Sequence, residues 1–383
     1  MSNCPSQVTW ISIVGARPQF IKVSPVCRAV EAHNHIAAQP RIEHRIIHTG
    51  QHYDREMAEL IFEQMGIPKP CCNLEVGSGS QQEQLARILE RLEPVLDGER
   101  PDWVIVYGDT NSALAGALGA ARLGIRLAHV EAGCRSYSFR MPEEQNRVLT
   151  DHLSDILLAP SERAVHNLQV EGIGTSDDRR CRKVALTGDV MYDALLANLR
   201  LAESLRQQTL DQLGVQADGY YVLTMHRAEN TARPAQLQQV VRALQRLDLP
   251  VVFPVHPRTR QLMSDNSVAL NGNIRCIAPL GYLQMLAVCE HARKIITDSG
   301  GVQKEALYLK VPCVTLRNET EWPETVDAGA NRLVAVNENE ILEAVGERRP
   351  DFESMGHPYG DGKSSARILN ELLNYPASTT PSL

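Results

Sequence analysis

TDSGGVQKEA, residues 297–306, joins a short β-branched run, Lys294–Ile295–Ile296, to a helix-like stretch from Val302 to Leu309. Strand, Ser-Gly-Gly turn and helix in that order present bare backbone N–H groups at a helix start, which is how a chain receives an anion. An acid, Glu305, follows one turn into the helix. Which anion sits at the turn, and why Glu305 lies behind it, depends on the rest of the chain.

The same pattern recurs along the 383 residues. Short apolar runs ending in a polar or glycine turn lie at Val8–Val14, Ile42–His48, Trp103–Tyr107, Arg126–Val130, Ile156–Ala159 and Val184–Thr187. A second set lies at Tyr220–Met225, Pro250–Val255, Ile274–Ala278, Lys294–Thr297, Cys313–Leu316 and Arg332–Val336. Stretches with helical periodicity separate them, among them Gln81–Leu96, Ser112–Leu123 and Ala235–Leu247. Such alternation predicts parallel sheets joined by crossover helices. Six runs followed by six predict an α/β fold of two doubly wound Rossmann-like domains facing a central cleft, with ligands at the carboxyl ends of the strands. The expected domains are residues 1–195 and 196–365, parted near a polar helical span without strand signals, Asn198–Leu213. Residues 366–383 are expected to form a C-terminal helix and a frayed tail.

The composition is that of a soluble globular protein, 43% hydrophobic and 22% charged. A net charge of −7 and a pI of about 6.0 give no electrostatic reason to expect nucleic acid. The nine cysteines include no CxxC pair, and Cys276, Cys289 and Cys313 lie inside apolar runs. That usage fits reduced thiols in a cytoplasmic protein. Cys71–Cys72 lacks partners for zinc, so no metal is expected. The opening MSNCPSQ has no positive region before an apolar core and does not read as a signal peptide. No apolar stretch reaches membrane-spanning length.

Ionisable groups and glycines follow nearly every run. GARPQFIK brings Gly15, Arg17 and Lys22; HTGQHYD brings Gln51 and His52; GDTNS brings Asp109. EAGCRS brings Glu131 and Arg135, and RMPEEQNR brings Arg140, Glu143, Glu144 and Arg147. In the second half, HRAEN brings His226, Arg227 and Glu229, and HPRT brings His256 and Arg258. Each alone has an ordinary explanation. Asp109 or Asp298 would cap a helix, Glu143–Glu144 would be a solvated helix start behind Pro142, and His256 would be a core histidine. Their recurrence at the same strand ends predicts an active site. Cations (Arg17, Lys22, His226, Arg227) with the Ser299–Gly300–Gly301 helix start suit a diphosphate. Carboxylates (Asp109, Glu131, Glu143) suit proton transfer on a neutral sugar-like group. No GxGxxG opens a strand-turn-helix and no GxxxxGK[ST] occurs, so neither NAD nor ATP hydrolysis is supported.

GARPQFIK, GDTNS, HVEAGCRS, MPEEQNR, HRAEN, TDSGGVQKEA, ETEWPE and PYGDGKSS, in this order, resemble the non-hydrolysing UDP-N-acetylglucosamine 2-epimerases from about residue 8 to residue 370. The resemblance implies a glycosyltransferase-B-like fold, isomerase activity on a UDP-N-acetylhexosamine, no cofactor, and a homodimer serving bacterial surface polysaccharide precursors. It implies that the TDSGG helix start, with Ser299, holds the UDP diphosphate and that Glu305 accepts hydrogen bonds from the ribose. Arg17 and His226 would contact phosphates, and Lys22 would line the same cleft. UDP would leave C1 as a proton leaves C2, giving a 2-acetamidoglucal to which UDP adds back after reprotonation on the other face. Asp109, Glu131 and Glu143 would handle the protons, supported by Arg147 and His226; which acts on which face stays open.

Two stretches depart from the family pattern. The activator-binding QHxxQ reads Gln51–His52–Tyr53–Asp54–Arg55, and Ala228 replaces an arginine after His226–Arg227. GARPQFIK, RMPEE and HPRT are instead similar to the subgroup acting on UDP-2,3-diacetamido-2,3-dideoxyglucuronate, in which Arg140 or Arg258 would meet a sugar carboxylate. A glycosyltransferase-B-type transferase, a hydrolysing epimerase and a non-catalytic nucleotide-sugar sensor are the remaining alternatives.

Overall fold

The chain is seen in a computed structural model that describes residues 6–51, 61–225, 227, 230, 234–255, 257–265, 270 and 272–376. Each apolar run forms a strand, and every strand pairing is parallel. Parallel strands covered on both faces need continuous apolar residues, as in β4 Trp103–Tyr107, where all five positions are buried.

The first half runs β1 (Gln7–Val14), α1 (Arg17–His35), β2 (Arg41–His48), β3 (Cys72–Asn73), α2 (Gln81–Glu99), β4, α3 (Asn111–Arg122), β5 (Leu127–Val130), α4 (Pro142–Leu153), β6 (Ile156–Ala159), α5 (Glu162–Val170), β7 (Lys183–Leu186) and α6 (Val190–Leu213). The second runs β8 (Tyr221–Thr224), α7 (Pro234–Gln245), β9 (Val251–Pro254), α8 (Pro257–Asp265), β10 (Ile274–Ile277), α9 (Tyr282–Glu290), β11 (Lys294–Thr297), α10 (Gly300–Tyr308), β12 (Cys313–Thr315), α11 (Pro323–Asp327), β13 (Asn331–Leu333) and α12 (Glu338–Gly346). A last helix, α13, spans Ser364–Leu373.

The first sheet has the order β3-β2-β1-β4-β5-β6-β7 and the second β10-β9-β8-β11-β12-β13. The order reverses between β1 and β4 and between β8 and β11. Helices leave opposite faces there and open a crevice at the carboxyl ends of those strands. β3 has no apolar run to announce it; its two residues pair with Ile47 and His48. In the first sheet Ile11, Ile13, Val104 and Val106 pack with Ile88, Leu92 and Leu96 of α2 and the alanines of α3. Small residues bring α3 close: a Cβ on Gly116 would meet Val106 at 2.7 Å and Ile13 at 2.8 Å. This proximity carries the start of α3 to the ends of β1 and β4.

Residues 1–194 and 358–383 form one unit and residues 195–357 the other. The first division falls inside a single helix, α6. The chain then re-enters the first unit at Pro358, where the Asp193 carboxylate accepts from Ser364 N (3.0 Å), Ser365 N (2.7 Å) and Ser365 Oγ (2.7 Å). It thereby caps α13, satisfying N–H groups left orphaned at a helix start. Beyond α13, Tyr375 stacks edge-on against Trp103 with ring centroids 5.0 Å apart. Asp193→Ala is expected to destabilise the first unit by about 1–3 kcal/mol, the penalty for unsatisfied buried donors. Urea unfolding followed through Trp103 fluorescence measures it.

Candidate active site

In the first unit the turn after β1 is closed by Gln19 of α1. Its Oε1 accepts from Gly15 N (2.8 Å) and Ala16 N (3.2 Å), and its Nε2 donates to Tyr107 O at the end of β4 (3.0 Å). Gly15 is forced: a Cβ would lie 1.9 Å from Thr49 Oγ1 and 2.2 Å from Ser112 Oγ. Arg17 opens α1 half-buried, and Lys22 lies one turn further in. Lys22 Nζ donates to Glu131 Oε1 at 2.6 Å, and both side chains are at most 10% exposed. Glu131 follows β5 with a left-handed backbone, φ +70°. A residue with a Cβ adopts that conformation only where its surroundings hold it there. Gly108 (φ +65°) leaves room for the pair, since a Cβ there would meet Lys22 Nζ at 2.8 Å.

Asp109 follows Gly108 and forms an ion pair with Arg147 of α4. Asn146 Nδ2 donates to the Asp109 carbonyl at 2.9 Å. Asp109 does not cap α3; the Thr110 hydroxyl does, accepting from Ala113 N. Glu143 and Glu144 diverge. Glu143 is exposed at the start of α4, whereas Glu144 is buried. Glu144 accepts from Ser136 N, Ser136 Oγ and Tyr137 N, each at 2.9 Å, and from Arg147 Nη1 at 2.5 Å. One glutamate thus braces the loop before α4 while its neighbour is free to meet solvent or a ligand. Gln51 also has a structural tie, its Oε1 accepting from Ser112 N (3.2 Å) and Oγ (2.7 Å). Arg140 is exposed.

In the second unit Ser299 is the N-cap of α10 but its side chain makes no capping bond, and its own N–H donates to Thr297 Oγ1 at 2.9 Å. Asp298 is fully buried. It accepts from Arg227 N (2.9 Å) and Asn230 Nδ2 (3.1 Å), fastening the segment after β8. The two glycines differ. A Cβ on Gly300 would meet Glu321 Oε1 at 2.4 Å, whereas Gly301 faces open space and is exposed. Gly300 thus leaves room for the Glu321 carboxylate. Glu321 pairs with Arg317 at 2.8 Å and lies 3.8 Å from Arg227 Nη2. Glu305 is buried, one turn into α10. Lys304 Nζ sits 3.6 Å from the centroid of the Trp322 ring. His52, His226 and His256 lie outside the described residues, as does the Arg258 side chain. Among the described residues no group of His, Cys, Asp or Glu has the arrangement of a metal site.

The sequence pattern of the family described as UDP-N-acetylglucosamine 2-epimerase matches residues 34–373. The chain belongs to that family. A UDP-N-acetylglucosamine 2-epimerase homolog of Methanococcus maripaludis is 46% identical over 368 residues, 95% of this chain and 99% of that protein. The UDP-2,3-diacetamido-2,3-dideoxy-D-glucuronate 2-epimerase of Pseudomonas aeruginosa is 42% identical, covering 94% and 98%. The crystal structure of the Methanocaldococcus jannaschii UDP-GlcNAc 2-epimerase in complex with UDP-GlcNAc and UDP superposes with a TM-score of 0.83 at 42% identity, covering 95% and 99%.

Within the epimerase frame, the first unit brings together Lys22 with Glu131, and Asp109 with Arg147. Gln19, Asn146 and Glu144 support them and were not distinguished by sequence. Gln19 lies inside GARPQFIK, and its spacing from Gly15 is the only signal that could have singled it out. Burial opposes ionisation of Glu144, but the Ser136 and Tyr137 donors and the Arg147 guanidinium outweigh it and hold the carboxyl below its usual 4.5. A depressed carboxyl contributes stability that is present above its usual value and lost as pH falls through the folded-state value. Glu144→Gln is expected to cost about 1–3 kcal/mol at neutral pH. It should also flatten the loss of stability below about pH 4.5, as measured by urea unfolding across pH.

Proposed function

We propose that this chain is a non-hydrolysing UDP-N-acetylglucosamine 2-epimerase, an isomerase that interconverts UDP-GlcNAc-type and UDP-ManNAc-type sugars without a cofactor. The observation that carries the reading is Glu131, a carboxylate in a left-handed backbone, paired with Lys22 at the end of β5. Non-glycine strain of this kind concentrates at functional sites.

The proton on C2 of an N-acetylhexosamine is hardly acidic, because no carbonyl is attached to that carbon. The C1–O bond therefore breaks with its electron pair leaving on UDP, and the C2 proton passes to a carboxylate, giving a 2-acetamidoglucal. A proton delivered to the opposite face of C2 and re-addition of UDP at C1 complete the inversion. Asp109, Glu131 and Glu143 are the proton-handling groups, with Arg147 orienting Asp109. The exposed Gly301 N–H and the α10 start, with Ser299, take the diphosphate, whose leaving charge the helix dipole stabilises. Arg17, Arg227 and His226 supply further positive charge, and Glu305 answers the ribose hydroxyls. The homologous M. jannaschii structure carries UDP-GlcNAc and UDP, which supports a nucleotide sugar as substrate. No helix among the described residues is long and apolar enough to cross a membrane. We place the enzyme in the cytoplasm as a homodimer supplying surface-polysaccharide precursors.

Proton NMR of the protein with UDP-GlcNAc in deuterated water is expected to show the epimer with deuterium at C2, no free sugar and no need for NAD. Asp109→Asn, Glu131→Gln and Glu143→Gln should each lower kcat by roughly 10²–10⁴-fold while leaving UDP binding nearly intact. Unlabelled product, or a NAD requirement, refutes the mechanism.

A second reading is favoured by the 42% identity to the Pseudomonas aeruginosa enzyme and by the exposed Arg140 beside α4. Here the sugar is UDP-2,3-diacetamido-2,3-dideoxyglucuronate and Arg140 meets its carboxylate in bidentate fashion. On this reading Arg140→Ala lowers kcat/KM for the carboxylated sugar by about tenfold or more and spares UDP-GlcNAc. Equal effects on both, with UDP-GlcNAc the better substrate, leave the first reading standing.

A further inference from the structure

Three segments of the first unit carry the candidate carboxylates, and a buried pair, Asp151 and His129, links them. Asp151 lies on α4, one turn beyond Arg147, on the helix that Glu143 opens. Its Oδ1 is 2.6 Å from Nδ1 of His129 on β5. The other ring nitrogen of His129 is 2.8 Å from the carbonyl of Gly108, the residue before Asp109. Asp151 Oδ2 accepts from Gly133 N (3.1 Å) and Arg135 Nη1 (2.7 Å), in the turn that follows Glu131. Glu171 holds the other edge of Arg135 bidentately, both contacts at 2.7 Å. His129 and Asp151 are fully buried, and Arg135 is 4% exposed.

Both ring nitrogens of His129 face atoms that only accept: a carboxylate oxygen and a peptide carbonyl. A neutral imidazole has a single N–H, so both contacts are hydrogen bonds only when the ring carries two protons. The buried Asp151 then has two cationic partners, His129 and Arg135, and Arg135 in turn meets the partly exposed Glu171, which also lies 3.6 Å from His152.

We infer that Asp151 and a His129 imidazolium form a clamp that positions Asp109, Glu131 and Glu143 relative to one another. Asp151 grips the Asp109 turn through His129, the Glu131 turn through Gly133 and Arg135, and Glu143 through its own helix. Both are positioning residues: each acts through the segments it holds. The inference rests on the assignment of those carboxylates to proton transfer. Proton delivery to two faces of one sugar ring depends on such placement, and a displacement of about 1 Å lowers rates by about 10²-fold.

The test combines a spectroscopic and a kinetic readout. Nitrogen-15 NMR of histidine-labelled protein, with His129→Gln identifying the signals, is expected to show both His129 nitrogens protonated at neutral pH. A single protonated nitrogen overturns the imidazolium. His129→Gln supplies one amide group where two donors are needed; Asp151→Asn turns a donor toward Gly133 N and Arg135. Both variants are expected to lower kcat by about 10- to 100-fold while the Kd for UDP stays within about twofold. Near-UV circular dichroism of buried Trp10 and Trp103 checks that the first unit is folded. If Asp151→Asn fails that check, His129→Gln decides alone. A folded His129→Gln with kcat within about threefold of wild type overturns the clamp. A wild-type enzyme that exchanges no C2 hydrogen refutes the proposed activity instead, and leaves the His129 protonation state to be judged by its NMR signals.

Discussion

An ammonium and a carboxylate taken out of water must find each other, and the pairing of Lys22 with Glu131 is the contact on which the first half-site depends. Burying either charge alone would cost several kcal/mol. At 2.6 Å the two are matched, 109 positions apart in sequence. The pairing requires α1 to start directly after β1, so that Lys22 reaches past the end of β4. It requires glycine at 108, where a Cβ would occupy the space of the ammonium. It requires Glu131 to turn back in a left-handed conformation. Gln19 serves the same end, tying the β1 turn to the β4 carbonyl so that the two strand ends keep their separation.

The doubly wound order makes this possible. β1 and β4 are neighbours, as are β8 and β11, and in both sheets the strand order reverses between them. In the first unit that place collects carboxylates paired with cations. In the second it collects a helix start with exposed backbone at Gly301, backed by the buried Asp298 and by the Arg317–Glu321 pair. One sheet order therefore carries two different sets of groups, carboxylates paired with cations in the first unit and a Ser-Gly-Gly helix start in the second, because the residues that follow the strands differ.

Much of this was legible in sequence because it is local. Apolar runs of strand length, the turn residues after them and the Ser-Gly-Gly helix start depend on neighbours a few positions away. Eight ordered motifs then point to one family. β3 escaped because two residues carry no periodicity. What Asp298 and Gly300 touch in the folded chain was not legible for a related reason. A buried acid before a helix reads as its cap, but here it fastens the segment after β8, and the glycine behind it makes way for Glu321.

By itself the sequence determined the α/β class, the parallel strands and the family, since strand periodicity, turn chemistry and motif order are properties of contiguous residues. Only the tertiary structure decided which of two adjacent glutamates turns inward, because Glu144 finds Ser136, Tyr137 and Arg147 while Glu143 stays exposed at the start of its helix. It alone returned the chain to the first unit at Pro358 and set the Asp193 carboxylate under α13. It alone placed a carboxylate and a peptide carbonyl around the ring of the strand residue His129. Charge pairing across distant segments follows from the order in which strands are laid side by side, and no local pattern encodes that order residue by residue.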